Sequence, residues 1–479
     1  MNDSSTIPTV LQGIVATRRT HLKGIAERLG PAADESFELQ KSTRSLEHSL
    51  RQPGVSLIME CKSASPTLGL IRGDYHPQEL ASIYSRYAAG ISVLCEPERF
   101  HGDYDHLATV AQTTHLPVLC KDFIVDELQI RAARYFGGDA ILLMLSVLDD
   151  ATYQRLSDYA TRLGLDVLTE VIDEDEVARA IKLNARIIGI NHRDLNDLSI
   201  DLTRSARLAP LIPDDVVVIA ESGLSTHTAL TQVASAFKKA NGRRTVNGFL
   251  VGSALTSQPD VDLAARALIF GEHKVCGLRT GHAAQVAKAN GAVYGGLIFE
   301  GKSPRNVSRE TAAEIRRAEP GLKYVAVSRR ESGYREIAEG CVAVQVQAPL
   351  KETLDEERKC VSTIRAELAG SNVEIWRAID MTRPQAREIA VGLSGSVDKL
   401  VLDAGEGGTG TAFDWTQIPQ EVKDKALLAG GITPETIENA LNQQTLGLDL
   451  NSGLEDPDHH KDAHKIQQAF TYIRNYIDD

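Results

Sequence analysis

Long apolar runs are missing from this chain. No stretch of about 18 consecutive hydrophobic residues occurs, so no membrane-spanning helix is expected. The N-terminus, Met-Asn-Asp-Ser-Ser-Thr, has neither a basic nor an apolar segment, which argues against a secretory signal. Paired cysteines are missing too. Cys61, Cys95, Cys120, Cys276, Cys341 and Cys360 are widely spaced, none forms Cys-x-x-Cys and none lies near a His pair at zinc spacing. No metal site is expected, and most of these thiols read as small buried hydrophobes in a reducing cytosol. Positive charge is in deficit: the formal net charge is −13. That disfavours nonspecific nucleic-acid binding and leaves any anionic ligand to local donors. Finally, no linker rich in Pro, Gly or Ser divides the chain. An amphipathic helical pattern, Asp260 to Phe270, runs directly into a strand pattern, His273 to Leu278.

What is present is a rhythm. At 479 residues, with 42% hydrophobic and 24% charged content, the chain suits two soluble domains. Residues 1–50 read as a charged helical extension with Ile25, Leu29, Phe37 and Leu39 as packing points. Apolar β-rich runs then recur at Val55–Lys62, Ile91–Glu96, Pro117–Phe123, Asp139–Leu148, Asp166–Val171, Ile187–Arg193, Val216–Gly223 and Asn247–Ala254, with helical patterns between them. Strands apolar along most of their length fit a parallel sheet covered on both faces. Eight such repeats predict a (β/α)8 TIM barrel; an open doubly wound sheet would have fewer strands and a Gly-rich first turn. The rhythm restarts at the seam, with strands expected at His273–Leu278, Tyr294–Phe299, Lys323–Ser328, Ala343–Gln347, Glu374–Ile379, Lys399–Asp403, Ala426–Gly431 and Leu446–Asn451. The expected architecture is α/β, two tandem TIM barrels, residues 1–270 and 271–479, the first with a helical extension.

In this fold the chemistry sits at the C-terminal ends of strands. In the first half those ends carry Glu60-Cys61-Lys62, Lys121-Asp122-Phe123, Glu170, Asn191 with Arg193, Glu221-Ser222-Gly223 and Gly252-Ser253. The stretches Glu60–Pro66, Leu119–Ile124, Leu168–Val171, Gly189–Leu195 and Ala220–Gly223 together resemble the indole-3-glycerol phosphate synthase family over nearly all of residues 1–255. The resemblance implies ring closure of 1-(o-carboxyphenylamino)-1-deoxyribulose 5-phosphate with loss of carbon dioxide and water. It implies Lys121 as the acid at the ketone, Glu170 assisting dehydration, Lys62 pairing with the anthranilate carboxylate and Glu60 orienting the lysines. Asn191, Arg193 and Glu221 would hold the intermediate and Phe123 would pack on its ring. Ser65, Ser222, Gly223, Gly252 and Ser253 would line the phosphate end.

In the second half, Lys274–Leu278, Gly295–Phe299, Ser303–Arg305, Leu402-Asp403, Gly407–Gly410 with Phe413–Trp415, Leu428–Gly431 and Gly447–Gly453 resemble the phosphoribosylanthranilate isomerase family, over about residues 272–479. That implies an Amadori rearrangement with Asp403 as acid and Cys276 as base. Asp403 must keep a proton that Cys276 must lose, which burial and nearby cations respectively favour. Arg305 would bind the anthranilate carboxylate and Asp449 would support the mouth. Gly408, Gly430, Gly431, Asn451 and Ser452 would receive the phosphate. The pattern departs from the family at the fourth strand, where Gln347 stands in place of the usual His, and at the third, which ends Val327-Ser-Arg-Arg330. Gln can donate and accept hydrogen bonds but cannot titrate.

The two resemblances imply a bifunctional enzyme of tryptophan biosynthesis. Its ligands would be small phosphorylated anthranilate derivatives, with no cofactor, and the chain is expected to be a cytoplasmic monomer. One alternative is an active synthase fused to a stabilising, non-catalytic barrel. Another is a pair of histidine-pathway-like isomerases, which rely on aspartates at strands one and five. Strand one here carries Cys276, and strand five, through Trp376–Ile379, reads as having no carboxylate.

Overall fold

The structure is a computed structural model that describes residues 9–193, 199–235, 246–405 and 412–476. The chain divides into two compact units, one running to Ala265 and one starting at Arg266. In the first, the strands are β1 Ser56–Cys61, β2 Gly90–Leu94, β3 Val118–Lys121, β4 Ala140–Met144, β5 Asp166–Val171, β6 Ile187–Asn191, β7 Val217–Glu221 and β8 Gly248–Val251. All are parallel and they close: β1 pairs with β2 (Ile58↔Gly90) and with β8 (Ser56↔Gly248). Every residue of β1, β2, β4, β6, β7 and β8 is buried, as the unbroken apolar runs require. Ile58, Leu119, Leu142, Leu168, Ile187 and Leu250 meet in one interior cluster, which Leu46 and Leu50 of the short helix Leu46–Leu50 join. Aspartates start the connecting helices: Asp126, Asp149 and Asp173 each accept a first-turn backbone N–H.

The N-terminal extension is a helix over Thr9–Leu29 that buries Leu11, Ile14, Ile25 and Leu29. Phe37, expected to pack, is 45% exposed. Its segment is held by backbone instead: Arg131 donates to the carbonyls of Ala32, Asp34 and Phe37, so the ring is not needed as an anchor. Leu39 is half-buried.

The second unit closes the same way through β9 Lys274–Val275, β10 Tyr294–Ile298, β11 Lys323–Ser328, β12 Ala343–Val346, β13 Glu374–Asp380, β14 Lys399–Asp403, β15 Ala426–Leu428 and β16 Gly447–Leu450. β9 is shorter than its apolar run because Gly277, at φ +74°, turns the chain just after Cys276. β13 is longer than expected and does end on a carboxylate, Asp380. That corrects the reading of strand five. Asp380 Oδ1 accepts the Gly405 amide at 2.8 Å and the Thr382 hydroxyl at 2.6 Å, so it braces loops and does not face the cavity described below.

One ion pair of this unit lies wholly in its interior. Arg377 on β13 and Glu357 on helix Leu354–Glu367 are both 0% exposed and bidentate at 2.6 and 2.7 Å. The same guanidinium donates to the carbonyls of Val346, Ala348 and Pro349, on either side of Gln347. Removing one member of such a pair leaves the other charge stranded. Glu357→Ala is expected to destabilise the second unit by about 3–5 kcal/mol, whereas Glu331→Ala at an exposed pair should cost under about 0.5 kcal/mol. Both tryptophans, Trp376 and Trp415, lie in the second unit, so urea unfolding followed by tryptophan fluorescence reads it selectively.

Candidate active sites at the two barrel mouths

A cavity of about 520 Å³ opens at the C-terminal ends of the first barrel's strands, lined by Lys62, Lys121, Phe123, Glu170, Asn191 and Arg193, among others. Side chains two apart on a strand share a face, so Glu60 follows Ile58 into the interior. There Glu60 joins two lysines: Oε1 lies 2.7 Å from Lys62 Nζ, and Oε2 3.3 Å from Lys121 Nζ. Lys121 also reaches Glu221 Oε2 at 3.0 Å. Four charges from three strands thus form one line across the barrel. Neighbouring strands leave room for it, since a Cβ on Gly252 would strike Glu60 Oε1 and one on Gly189 would strike Glu221 Oε1.

Burial works against the charges, and the pairing decides which survive. Glu60 is held down at about 2, its burial outweighed by Lys62 and Lys121. Burial likewise opposes the Lys121 ammonium, but Glu221, Glu60 and Glu170 keep it above its usual range. Among the described residues, Glu170 has no cation in direct contact and its Oε1 accepts no hydrogen bond. Burial, then Glu221, push it up to about 8.

Directly after Glu221, Ser222 and Gly223 both take positive φ, +70° and +79°. Gly tolerates this freely; Ser222 is restrained through its carbonyl, 3.1 Å from the buried His192 Nδ1. Ser222, Gly223, Gly252, Ser253 and Ser65 all line the cavity. Ser65 sits in a small hairpin, its hydroxyl accepting the Leu68 amide at 3.2 Å.

Leu11, Ile14 and Phe100 are among the lining residues that escaped the sequence reading. Leu11 and Ile14 come from the N-terminal helix, where an i, i+3 apolar pair was the available signal. Phe100 faces Phe123 with ring centroids 6.1 Å apart. Its loop is gathered on the buried Glu96 carboxylate, which accepts the amides of Glu98, Arg99 and Phe100 at 2.9, 2.7 and 3.1 Å.

The second barrel carries its own cavity, of about 400 Å³. Cys276, Arg305, Gln347, Asp403, Asp449, Gly430, Gly431, Asn451 and Ser452 all line it; Gly408 lies outside the described residues. Gly296 is empty for a reason: a Cβ there would lie 2.6 Å from Cys276 Sγ. Burial pushes Asp403 up to about 7, although the Ala404 amide, 2.8 Å from Oδ1, favours the anion. Burial also pushes the Cys276 thiol up, to about 11, and Lys274 and Lys461 only partly offset it. The expectation that nearby cations lower this thiol is therefore outweighed by its desolvation in the free enzyme. Gln347 Nε2 stands 3.4 Å from Asp403 Oδ2.

Arg305 is already engaged. Its Nε and one terminal nitrogen each lie 2.8 Å from the Glu455 carboxylate, which Lys461 also contacts at 2.5 Å. Lys461 further donates to the Asn451 carbonyl and side chain, at 3.0 and 2.9 Å. Glu455 and Lys461 were not legible, since no local pattern links them to a residue 150 positions away. Arg329, at the end of β11, also lines the cavity.

Comparison with known proteins matches residues 11–268 to the family described as indole-3-glycerol phosphate synthase. Residues 273–471 match the family described as N-(5'-phosphoribosyl)anthranilate isomerase. A tryptophan biosynthesis protein TrpCF from Corynebacterium glutamicum is 58% identical over 457 residues, covering 95% of this chain and 94% of the relative. Proteins of the same description from Salmonella typhi and Yersinia pestis are 41% and 40% identical, over 98% and 99% of this chain and 100% and 96% of their own lengths.

The Glu170 carboxyl makes a stability test independent of any reaction. Its folded pKa of about 8 lies above its unperturbed 4.5. Between those values the folded chain keeps a proton that the unfolded chain has released, so stability falls as pH rises through the window. The neutral isostere Glu170→Gln removes this dependence. Scanning calorimetry should show the variant gaining on the parent as pH rises from about 4 to about 9.

Proposed function

The chain belongs to the family of tryptophan-biosynthesis proteins that join an indole-3-glycerol phosphate synthase to a phosphoribosylanthranilate isomerase, and from that premise we propose how its residues divide the two reactions. The second barrel converts N-(5'-phosphoribosyl)anthranilate into 1-(o-carboxyphenylamino)-1-deoxyribulose 5-phosphate. The first closes that product into indole-3-glycerol phosphate, releasing carbon dioxide and water. We take residue 270 as the last of the synthase part and 271 as the first of the isomerase.

In the isomerase, Asp403 gives its proton to the furanose ring oxygen, which opens the sugar to a Schiff base at C1′. Cys276, as thiolate, then takes the C2′ proton, and the enolamine tautomerises to the ketone. The support is one cavity holding a carboxyl that burial pushes up to about 7 and a thiol whose burial Lys274 and Lys461 partly offset. The remaining edge of Arg305 receives the anthranilate carboxylate, Gln347 replaces the usual His as a hydrogen-bonding group, and Asp449 supports the mouth. Gly408, Gly430, Gly431, Asn451 and Ser452 take the phosphate.

In the synthase, Lys121 polarises and protonates the ketone while the aromatic carbon attacks it. The carboxylates around it keep the ammonium charged in a buried place, which is the observation that carries the assignment. Lys62 pairs with the anthranilate carboxylate, Glu60 and Glu221 hold the lysines, and Glu170 assists loss of water. Phe123 packs on the ring, and Asn191, Arg193 and Glu221 hold the intermediate. Ser65, Ser222, Gly223, Gly252 and Ser253 bind the phosphate. The chain acts on small phosphorylated anthranilates as a monomer in the cytoplasm. Five of its cysteines are buried free thiols, in keeping with a reducing compartment, and its −13 charge opposes nucleic-acid binding.

Purified parent, Cys276→Ala and Lys121→Ala are compared for phosphoribosylanthranilate consumption and for cyclisation of supplied aminoketose. Cys276→Ala should lose isomerisation by at least about 100-fold and keep cyclisation, and Lys121→Ala the reverse. A parent chain that cyclises but does not isomerise would instead mark the second barrel as a stabilising partner.

A further inference from the structure

The second barrel buries a lysine that none of these steps uses. Lys274 lies two residues before Cys276 and is 0% exposed. Its ammonium sits 2.8 Å from Asp449 Oδ2 on β16, over the ring of Trp376, and donates to Gln345 Oε1 on β12, across the barrel. From there a line of amides runs to the acid. Gln345 Nε2 is 2.8 Å from Gln347 Oε1, and Gln347 Nε2 is 3.4 Å from Asp403 Oδ2.

An ammonium can only donate hydrogen bonds. Gln345 must therefore turn its oxygen to Lys274 and its nitrogen to Gln347. Gln347 must then turn its own oxygen back and its nitrogen to Asp403. One cation fixes the polarity of two amides that could otherwise face either way, and it delivers an N–H to the acid. The same charge acts on the thiol. Cys276 faces Lys274, Asp449, Lys461 and Arg305, of which the last two are held on Glu455. Asp403 faces Asp449 and Lys274 besides Gln347 and the Ala404 amide.

We propose that Lys274 and Gln345 are positioning residues of the isomerase: Lys274 stabilises the Cys276 thiolate and, through Gln345, keeps the Gln347 N–H on Asp403. This rests on Cys276 as base and Asp403 as acid. It also explains how glutamine serves at position 347. Once its orientation is fixed, it is a permanent donor, as the N–H of a neutral imidazole would be.

The test uses the full chain with Lys274→Met and Gln345→Met, beside Cys276→Ala and Asp403→Asn. Urea unfolding followed by the fluorescence of Trp376 and Trp415, both in the second unit, serves as the check on folding. Alkylation of Cys276 by iodoacetamide across pH, read by mass spectrometry, gives the thiol midpoint. The pH dependence of isomerase kcat and KM gives the Asp403 limb. Lys274→Met should raise the thiol midpoint by about one pH unit or more and lower kcat about tenfold or more. Gln345→Met leaves the Lys274–Asp449 pair intact. It should leave the thiol midpoint in place, move the Asp403 limb upward, and lower kcat with KM within about twofold. Should Lys274→Met fail to fold, with Asp449 left unpaired, Gln345→Met decides alone. If the midpoints of both variants stay at the parent's values, the two residues only fill space and the inference falls while the assignment of base and acid stands. If Cys276→Ala isomerises at the parent's rate, that assignment has failed and the inference falls with it.

Discussion

A charge inside a closed eight-stranded barrel has little water to turn to, and its partners must come from other strands. Both halves of this chain are arranged around that constraint. Lys121 on β3 is matched by Glu60 on β1 and Glu221 on β7, and Lys274 on β9 by Asp449 on β16 and Gln345 on β12. Each buried ammonium therefore ties together strands distant in sequence. Further groups at the mouths hang from those ties: Glu60 holds Lys62, and the Gln345–Gln347 line reaches Asp403.

The two cavities meet the constraint with different partners. In the first, carboxylates outnumber lysines around Lys121, which stays charged, and the surplus negative charge falls on Glu170, which is pushed up to about 8. In the second, burial pushes Asp403 up to about 7, with Asp449 adding to it and the Ala404 amide and Lys274 opposing it. In both, burial is the larger cause and a neighbouring carboxylate adds to it.

The sixteen barrel strands were legible because each apolar run has both faces covered. Their ends were less so. The apolar pattern of His273–Leu278 continues past the point where Gly277 turns the chain, and Asp380 lies one residue beyond where an apolar criterion stops. Charged strand ends gave away the groups at each mouth. The supporting layer was only half hidden. Lys274 precedes Cys276 by two and Gln345 precedes Gln347 by two, so strand alternation puts each pair on one face. Stepping inward by two from each reactive residue would have found them. Glu455 offered no such handle, because it meets Arg305 through the closure of the barrel alone, and Lys461 enters as the partner of Glu455 and Asn451.

The three glycines emptied beside reactive groups bear on how such a chain can change. At Gly189, Gly252 and Gly296 the missing side chain is the space in which Glu221, Glu60 or Cys276 stands. A larger residue at Gly296 meets the Cys276 Cα as well as its Sγ, whereas at Gly189 or Gly252 it pushes aside the end of a carboxylate that holds a lysine. A change on one strand at these mouths is therefore felt first by the thiol or carboxylate of the strand beside it, and substitution there is coupled in pairs.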